Sequence, residues 1–137
     1  MKKILVLCTG NSCRSQMVEA CLKSLLNKDD YSVYSAGLEA HGINPYMKRA
    51  MQKKGFSLQG HTSNVMSDYK DIVFDFVITV CDHASKNCPY FQNARCRIHH
   101  SFDDPADATG TEEEKMAIYE KVRDQVIDYC NRLVLEL

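Results

Sequence analysis

Eight residues near the start of the chain, Cys8-Thr9-Gly10-Asn11-Ser12-Cys13-Arg14-Ser15, have the types needed to hold a tetrahedral oxyanion over a nucleophilic sulfur. A loop of five residues between a cysteine and an arginine can aim successive backbone N–H groups into one concavity, and a helix beginning at its far end adds positive potential. Gly10 and Asn11 are residue types that tolerate unusual backbone angles in such a turn. Arg14 brings a planar fork that matches two oxygens of the anion. The same field favours the ionised sulfur of Cys8, and Ser15 can donate its hydroxyl to it. Thr9, Gly10, Asn11, Ser12, Cys13 and Arg14 are thus the candidate anion contacts, with Cys8 as nucleophile. The loop is not a nucleotide-binding P-loop, because the second glycine and the Lys-Ser/Thr pair are missing.

The elements that must position this loop are legible from periodicity. Lys3 to Leu7 is a short, nearly continuous apolar run, as in a parallel strand buried on both faces. Arg14 to Leu26 carries Met17, Val18, Cys21, Leu22 and Leu25 at helical spacing. Tyr31 to Ala36 is β-rich and stops at Gly37. Asn44-Pro45 caps a helix with Met47, Ala50 and Met51 on its buried stripe, and Gly55 closes it. Ser63 is expected to cap a short helix bearing Val65, Met66 and Tyr69. Phe74 to Val80 is the strongest strand, and Arg97 to Phe102 is expected as an edge strand. Thr111 to Glu114 forms a capping box ahead of a last helix burying Met116, Tyr119, Val122, Val126, Cys130, Leu133 and Leu137. The alternation predicts an α/β fold, a single three-layer domain over residues 1–137 with a four-stranded parallel sheet flanked by helices.

Open parallel sheets bind ligands at the carboxyl ends of their strands. Three chemically loaded segments are expected there together: Cys8 after the first strand, Cys81 after the third, and Asp103-Asp104-Pro105 after the fourth. The stretch from Asp82 to Arg95 is polar and, at roughly 14 residues, long for a passive connection.

Composition narrows the function class. Seventeen basic and eighteen acidic side chains leave a formal charge of −1, which argues against a nucleic-acid binder. No apolar run approaches the ~20 residues of a membrane span. Seven cysteines, an odd number, argue against a secreted disulfide framework and for a cytoplasmic chain with reduced thiols. Cys21 and Cys130 lie on apolar helix faces and read as core; Cys13 reads as packing under the loop. A zinc site drawn from Cys81, Cys88, Cys96, His99 and His100 lacks a close Cys-x2-Cys knuckle, so no metal is expected. His41, His61 and His83 read as surface or capping groups.

The chain resembles the low-molecular-weight protein tyrosine phosphatases through its Cys-x5-Arg-Ser loop, and more closely the thioredoxin-coupled arsenate reductases built on that fold. The resemblance runs over nearly the whole chain: Leu7 to Met17, Tyr34-Ser35-Ala36-Gly37, Glu39-Ala40-His41-Gly42, Asn44-Pro45, Thr79-Val80-Cys81, Asn87-Cys88-Pro89, Phe102-Asp103-Asp104-Pro105 and Gly110 to Lys115. It implies reduction of arsenate to arsenite by three cysteines, for arsenic detoxification. Cys8 attacks arsenic, Arg14 and the loop amides hold the oxygens, and Asp104 protonates the departing oxygen. Cys81 then attacks the sulfur of Cys8, and Cys88 attacks Cys81, carrying the disulfide outward for thioredoxin to reduce. Phosphate and sulfate would enter as mimics of arsenate. The resemblance also implies a monomer with no tightly bound cofactor, its electrons coming from reduced thioredoxin. Phosphatase activity on phosphomonoesters, or a redox sensor without turnover, are the alternatives the same loop allows.

Were Asp82 to Cys88 helical in the reduced protein, seven residues would separate Cys81 from Cys88 by about 10 Å along the axis. A disulfide needs Cα atoms within roughly 7 Å, so oxidation would have to unwind that turn. The chain departs from the resemblance in four places. Cys96 is an additional thiol near the relay, and His99-His100 stands where relatives commonly have an aromatic. Asn64 replaces an aspartate that helps some relatives bind a monovalent cation. Ala106 follows Asp104-Pro105 without the tyrosines of a phosphotyrosine-stacking rim.

Overall fold

The computed structural model describes residues 1–81 and 89–137. Cys88 and the whole turn expected to unwind therefore lie outside the described residues. Four strands, β1 (Lys2–Cys8), β2 (Tyr31–Gly37), β3 (Phe74–Thr79) and β4 (Ala94–His99), form one sheet in the order β2-β1-β3-β4, every pair parallel. Among the described residues the α-helices are α1 (Arg14–Leu25), α2 (Pro45–Lys53) and α3 (Glu112–Leu133), with short 3-10 turns at Met66–Tyr69, Pro105–Asp107 and Val134–Glu136.

The apolar run of β1 is the centre of the molecule, with Ile4, Leu5, Val6 and Leu7 all fully buried. Successive side chains of a strand point to opposite faces, and the core divides accordingly. Ile4, Val6 and Cys8 join the cluster formed with α1, α2 and α3, whereas Leu5 and Leu7 join Phe74, Val77 and Phe91 on the other face. The second face is covered by Met66 and Tyr69 of the 3-10 turn and by Phe91. These are the expected three layers, with α1, α2 and α3 gathered on one side. Cys21 and Cys130, at 1% and 0% exposure, are core residues as expected.

Helix ends follow their capping chemistry. Asn44 Oδ1 accepts from Tyr46 N and Met47 N at 3.0 and 3.1 Å, with Pro45 in the first turn. Gly55 takes φ +84°, the left-handed residue that closes α2. Both halves of the Thr111–Glu114 capping box are present. At the end of α2 the Lys54 N–H turns to Met51 O, and buried Arg123 of α3 donates to Ala50 O at 3.0 Å. Because this hydrogen bond comes from a buried charged donor, Arg123→Ala is expected to destabilise by about 2 kcal/mol. That corresponds to roughly 8 °C in the thermal midpoint of a domain this size, readable by calorimetry.

Two elements differ from expectation. The edge strand spans Ala94–His99 rather than 97–102, because register pairs Phe74 with Ala94 and Thr79 with His99. Phe102 continues the apolar alternation of Ile98 but leaves the sheet to fill the helical core. Ser63 is not a cap: Val65 precedes the Met66–Tyr69 turn without a side-chain cap, and the Ser63 hydroxyl serves the loop after β1.

Candidate active site

Residues 8–15 occupy the carboxyl end of the central strand, where β1 stops at Cys8 and α1 begins at Arg14. β2 supplies one neighbour through the Cys8–Gly37 register. A Cβ on Gly37 would lie 2.6 Å from Thr9 O and 2.9 Å from Asn11 N, so only glycine lets the two segments approach this closely.

The loop is held open from outside by its carbonyls. Thr9 O accepts from Glu39 N, Gly10 O from His41 N, and Ser12 O from Asn44 N, at 3.1, 2.9 and 3.1 Å. Asn11 O accepts from Ser63 Oγ at 2.8 Å and Gln16 Nε2 at 3.1 Å. In a planar trans peptide the carbonyl and the following N–H point in opposite directions. Anchoring the carbonyls of Thr9, Gly10, Asn11 and Ser12 outward therefore turns the N–H groups of Gly10, Asn11, Ser12 and Cys13 inward. They face a cavity of about 200 Å³ lined by Cys8, Thr9, Gly10, Ser12, Cys13, Arg14, His41, Asp104 and Ala106.

Cys8 Sγ lies 2.9 Å from Ser15 Oγ. Either atom can donate while Cys8 is a thiol; once the sulfur is ionised the donor must be the Ser15 hydroxyl. Asn11 Nδ2 donates to Ser15 Oγ and to Ser35 Oγ, both at 2.9 Å, and Ser35 Oγ donates to Glu19 Oε1 at 2.5 Å. With its oxygen already accepting from Asn11, the Ser15 hydroxyl has its hydrogen for the sulfur. Asn11 is fully buried at φ +46°, and its Oδ1 accepts from Asn64 N at 2.7 Å and Gln16 Nε2 at 3.2 Å. Its side chain lies beneath the loop, where it ties α1, β2 and the 61–64 segment to the turn, so the group it can offer an anion is its backbone N–H, which follows the anchored Gly10 carbonyl.

Arg14, 6% exposed, donates from Nη1 to Phe102 O at 3.1 Å, and its Nη2 lies 3.5 Å from Asp104 Oδ2. Asp104 Oδ1 accepts from Ala106 N at 3.0 Å, which fixes the carboxylate at the start of the Pro105–Asp107 turn. The same segment is braced by His100, whose ring stacks on Tyr129 at 4.0 Å and packs against Phe102. Cys13 lines the cavity and precedes α1; burial, then the charges of Asp104 and Cys8, push its thiol well above the usual range. A thiol so shifted stays protonated beside Cys8.

Sequence reasoning missed the polar layer below the loop. His61, read as a surface or capping group, has a side chain only 2% exposed. Its Nδ1 lies 2.9 Å from Gln16 Oε1 and its Nε2 3.8 Å from Glu19 Oε2. Burial lowers its pKa, with Glu19 opposing. Glu19 is itself buried and paired with Lys23. The available signal was Ser15, Gln16 and Glu19, three polar residues on a helix whose first nine positions are all buried. His41, also read as peripheral, lines the cavity.

Cys81 is fully buried, two residues beyond β3, where Val80 N donates to Leu7 O at 2.9 Å. It is thus at the strand end adjacent to Cys8, as expected, but not in the cavity lining. Its carbonyl accepts from Ser101 Oγ at 3.1 Å, and its sulfur is disulfide-bonded. Cys8, Cys13, Cys21, Cys96 and Cys130 are free, Cys96 being exposed on β4.

The family model of the low molecular weight phosphotyrosine protein phosphatases matches residues 3–137. The chain belongs to this family. Among its members it is 48% identical over 133 residues to an arsenate reductase of Bacillus licheniformis, covering 96% of this chain and 94% of that one. It is 47% identical over 127 residues to an arsenate reductase of Bacillus subtilis, covering 91% and 89%. A solved arsenate reductase in its phosphate-binding state superposes with a TM-score of 0.80 at 28% identity, over 99% of this chain and 98% of that one. No helix among the described residues is long and apolar enough to cross a membrane.

Proposed function

We propose that the protein reduces arsenate to arsenite through Cys8, Cys81 and Cys88, with thioredoxin restoring the thiols in the cytoplasm. The observation that carries the reading is the pairing of an oxyanion cavity floored by Cys8 with a second cysteine, Cys81, at the end of the adjacent strand. A phosphatase needs only the first. The names of the relatives support the same reaction.

In the first step the Cys8 thiolate, held by the Ser15 hydroxyl, attacks arsenic. The inward N–H groups and Arg14 carry the charge on the remaining oxygens. Asp104 passes a proton to the departing oxygen, which leaves as water. Cys81 then attacks Sγ of Cys8. A sulfur–sulfur bond forms, the sulfur–arsenic bond breaks with its electron pair staying on arsenic, and As(V) becomes As(III) at the expense of two thiols. Cys88 displaces Cys8 from Cys81 and presents the new disulfide to the dithiol of thioredoxin.

The test is NADPH oxidation in the presence of arsenate, thioredoxin and thioredoxin reductase. Turnover is expected only when all components are present, and arsenate-independent oxidation alone would sink the proposal. Asp104→Asn is expected to slow the first chemical step about 10²-fold, the usual contribution of a positioned acid. Rapid-quench measurement of arsenite release checks it.

A further inference from the structure

One side chain of the cavity comes from a segment that supplies neither nucleophile nor acid. His41 follows β2, whereas Asp104 and Ala106 follow β4, and the loop after β1 lies between them in the sheet order. The mouth of the cavity is therefore flanked by His41 on one side and Asp104–Ala106 on the other.

The His41 imidazole lies directly on Gly10. A Cβ built there would meet His41 Nδ1 at 2.5 Å and two further ring atoms at 3.1 Å, and its three nearest neighbours are all atoms of that ring. The ring is held from two directions. Its backbone N–H donates to Gly10 O at 2.9 Å, and its Nε2 lies 2.5 Å from Glu39 Oε2 on the solvent side. The imidazole thus stands as a braced wall over the loop, although its side chain is 54% exposed.

We propose that His41, braced by Glu39, is a specificity-determining wall that makes the cavity favour a free tetrahedral oxyanion over its aryl or alkyl esters. A free oxyanion presents only oxygens to the loop and needs no exit through the mouth. An ester must pass its organic group out between His41 and Ala106, past a ring whose displacement gives up its contact with Glu39. The inference deepens the reading that the cavity takes inorganic arsenate. It also explains why position 10 is glycine: a methyl there would dislodge the wall.

The test uses the full chain with Cys8→Ser to prevent turnover, and calorimetric binding of inorganic phosphate and of phenyl phosphate. Removing the wall with His41→Ala is expected to shift the affinity ratio toward phenyl phosphate by about tenfold, the scale of a steric pocket change. Gly10→Ala is expected to shift it in the same direction, and to add little once His41 is alanine, because the clash it creates is then gone. An unchanged ratio in folded His41→Ala protein overturns the proposal, as does an equal effect of Gly10→Ala in both backgrounds. Wild-type protein that prefers inorganic phosphate yet shows no arsenate-dependent NADPH oxidation would sink the reductase reading and leave the wall standing.

Discussion

Cys8→Ser is expected to reduce arsenate-dependent turnover by at least about 10⁴-fold, the scale seen when a nucleophile is removed from an otherwise intact site. The substitution is nearly isosteric, so the hydrogen bond to Ser15 and the buried position are retained. What is lost is a sulfur that ionises readily and can form both the arsenic bond and the later disulfide. A hydroxyl can do neither at neutral pH. The same variant should lose any phosphomonoester hydrolysis, since that also begins at Cys8. NADPH consumption and release of p-nitrophenol, measured on one folded preparation, check both losses. Residual arsenate reduction above a hundredth of wild type would place the first step on another thiol.

The second large effect is expected beneath the loop. Asn11→Ala removes two donors, to Ser15 and Ser35, and an acceptor that takes the Asn64 N–H and the Gln16 amide. It also places alanine at φ +46°, a left-handed conformation that asparagine tolerates better. Buried groups left without partners and backbone strain together should destabilise the chain by roughly 3 kcal/mol. Asn11→Gly keeps the hydrogen-bond losses but relieves the strain, and should recover about 1 kcal/mol of that loss. Denaturant unfolding of both variants separates the two causes. Activity should fall in both, because Ser15 no longer has its oxygen occupied by Asn11 and its hydroxyl is free to turn from Cys8.

The parts of the molecule that the sequence makes legible are those governed by short-range patterns. β1, the cap at Asn44-Pro45 and the Thr111 capping box are each written in consecutive residues, and each stands where the pattern places it. That Cys8, Cys81 and Asp104 share one edge of the sheet follows from topology, because Cys8 ends β1 while Cys81 and Asp104 follow β3 and β4, all parallel. The extent of β4 is not legible: Phe102 alternates correctly for a strand, and only tertiary packing draws it into the helical core. The network of Asn11, Ser35, Glu19, Gln16 and His61 is not legible either. Its members come from four separate segments, and a polar residue facing inward looks in sequence like one facing water. His41 was missed for the same reason, since only the fold brings it over Gly10.

Cys8 and Cys81 together supply the two electrons that reduce arsenic by forming a disulfide with each other, so that intermediate can be sought directly. Cys88→Ser protein, fully reduced and given one equivalent of arsenate, would be quenched with an alkylating agent and mapped by mass spectrometry. The expected result is one arsenite released per chain, with Cys8 and Cys81 joined in a disulfide and the other cysteines alkylated. Arsenite release with Cys8 and Cys81 both alkylated, or no arsenite at all, would contradict the relay.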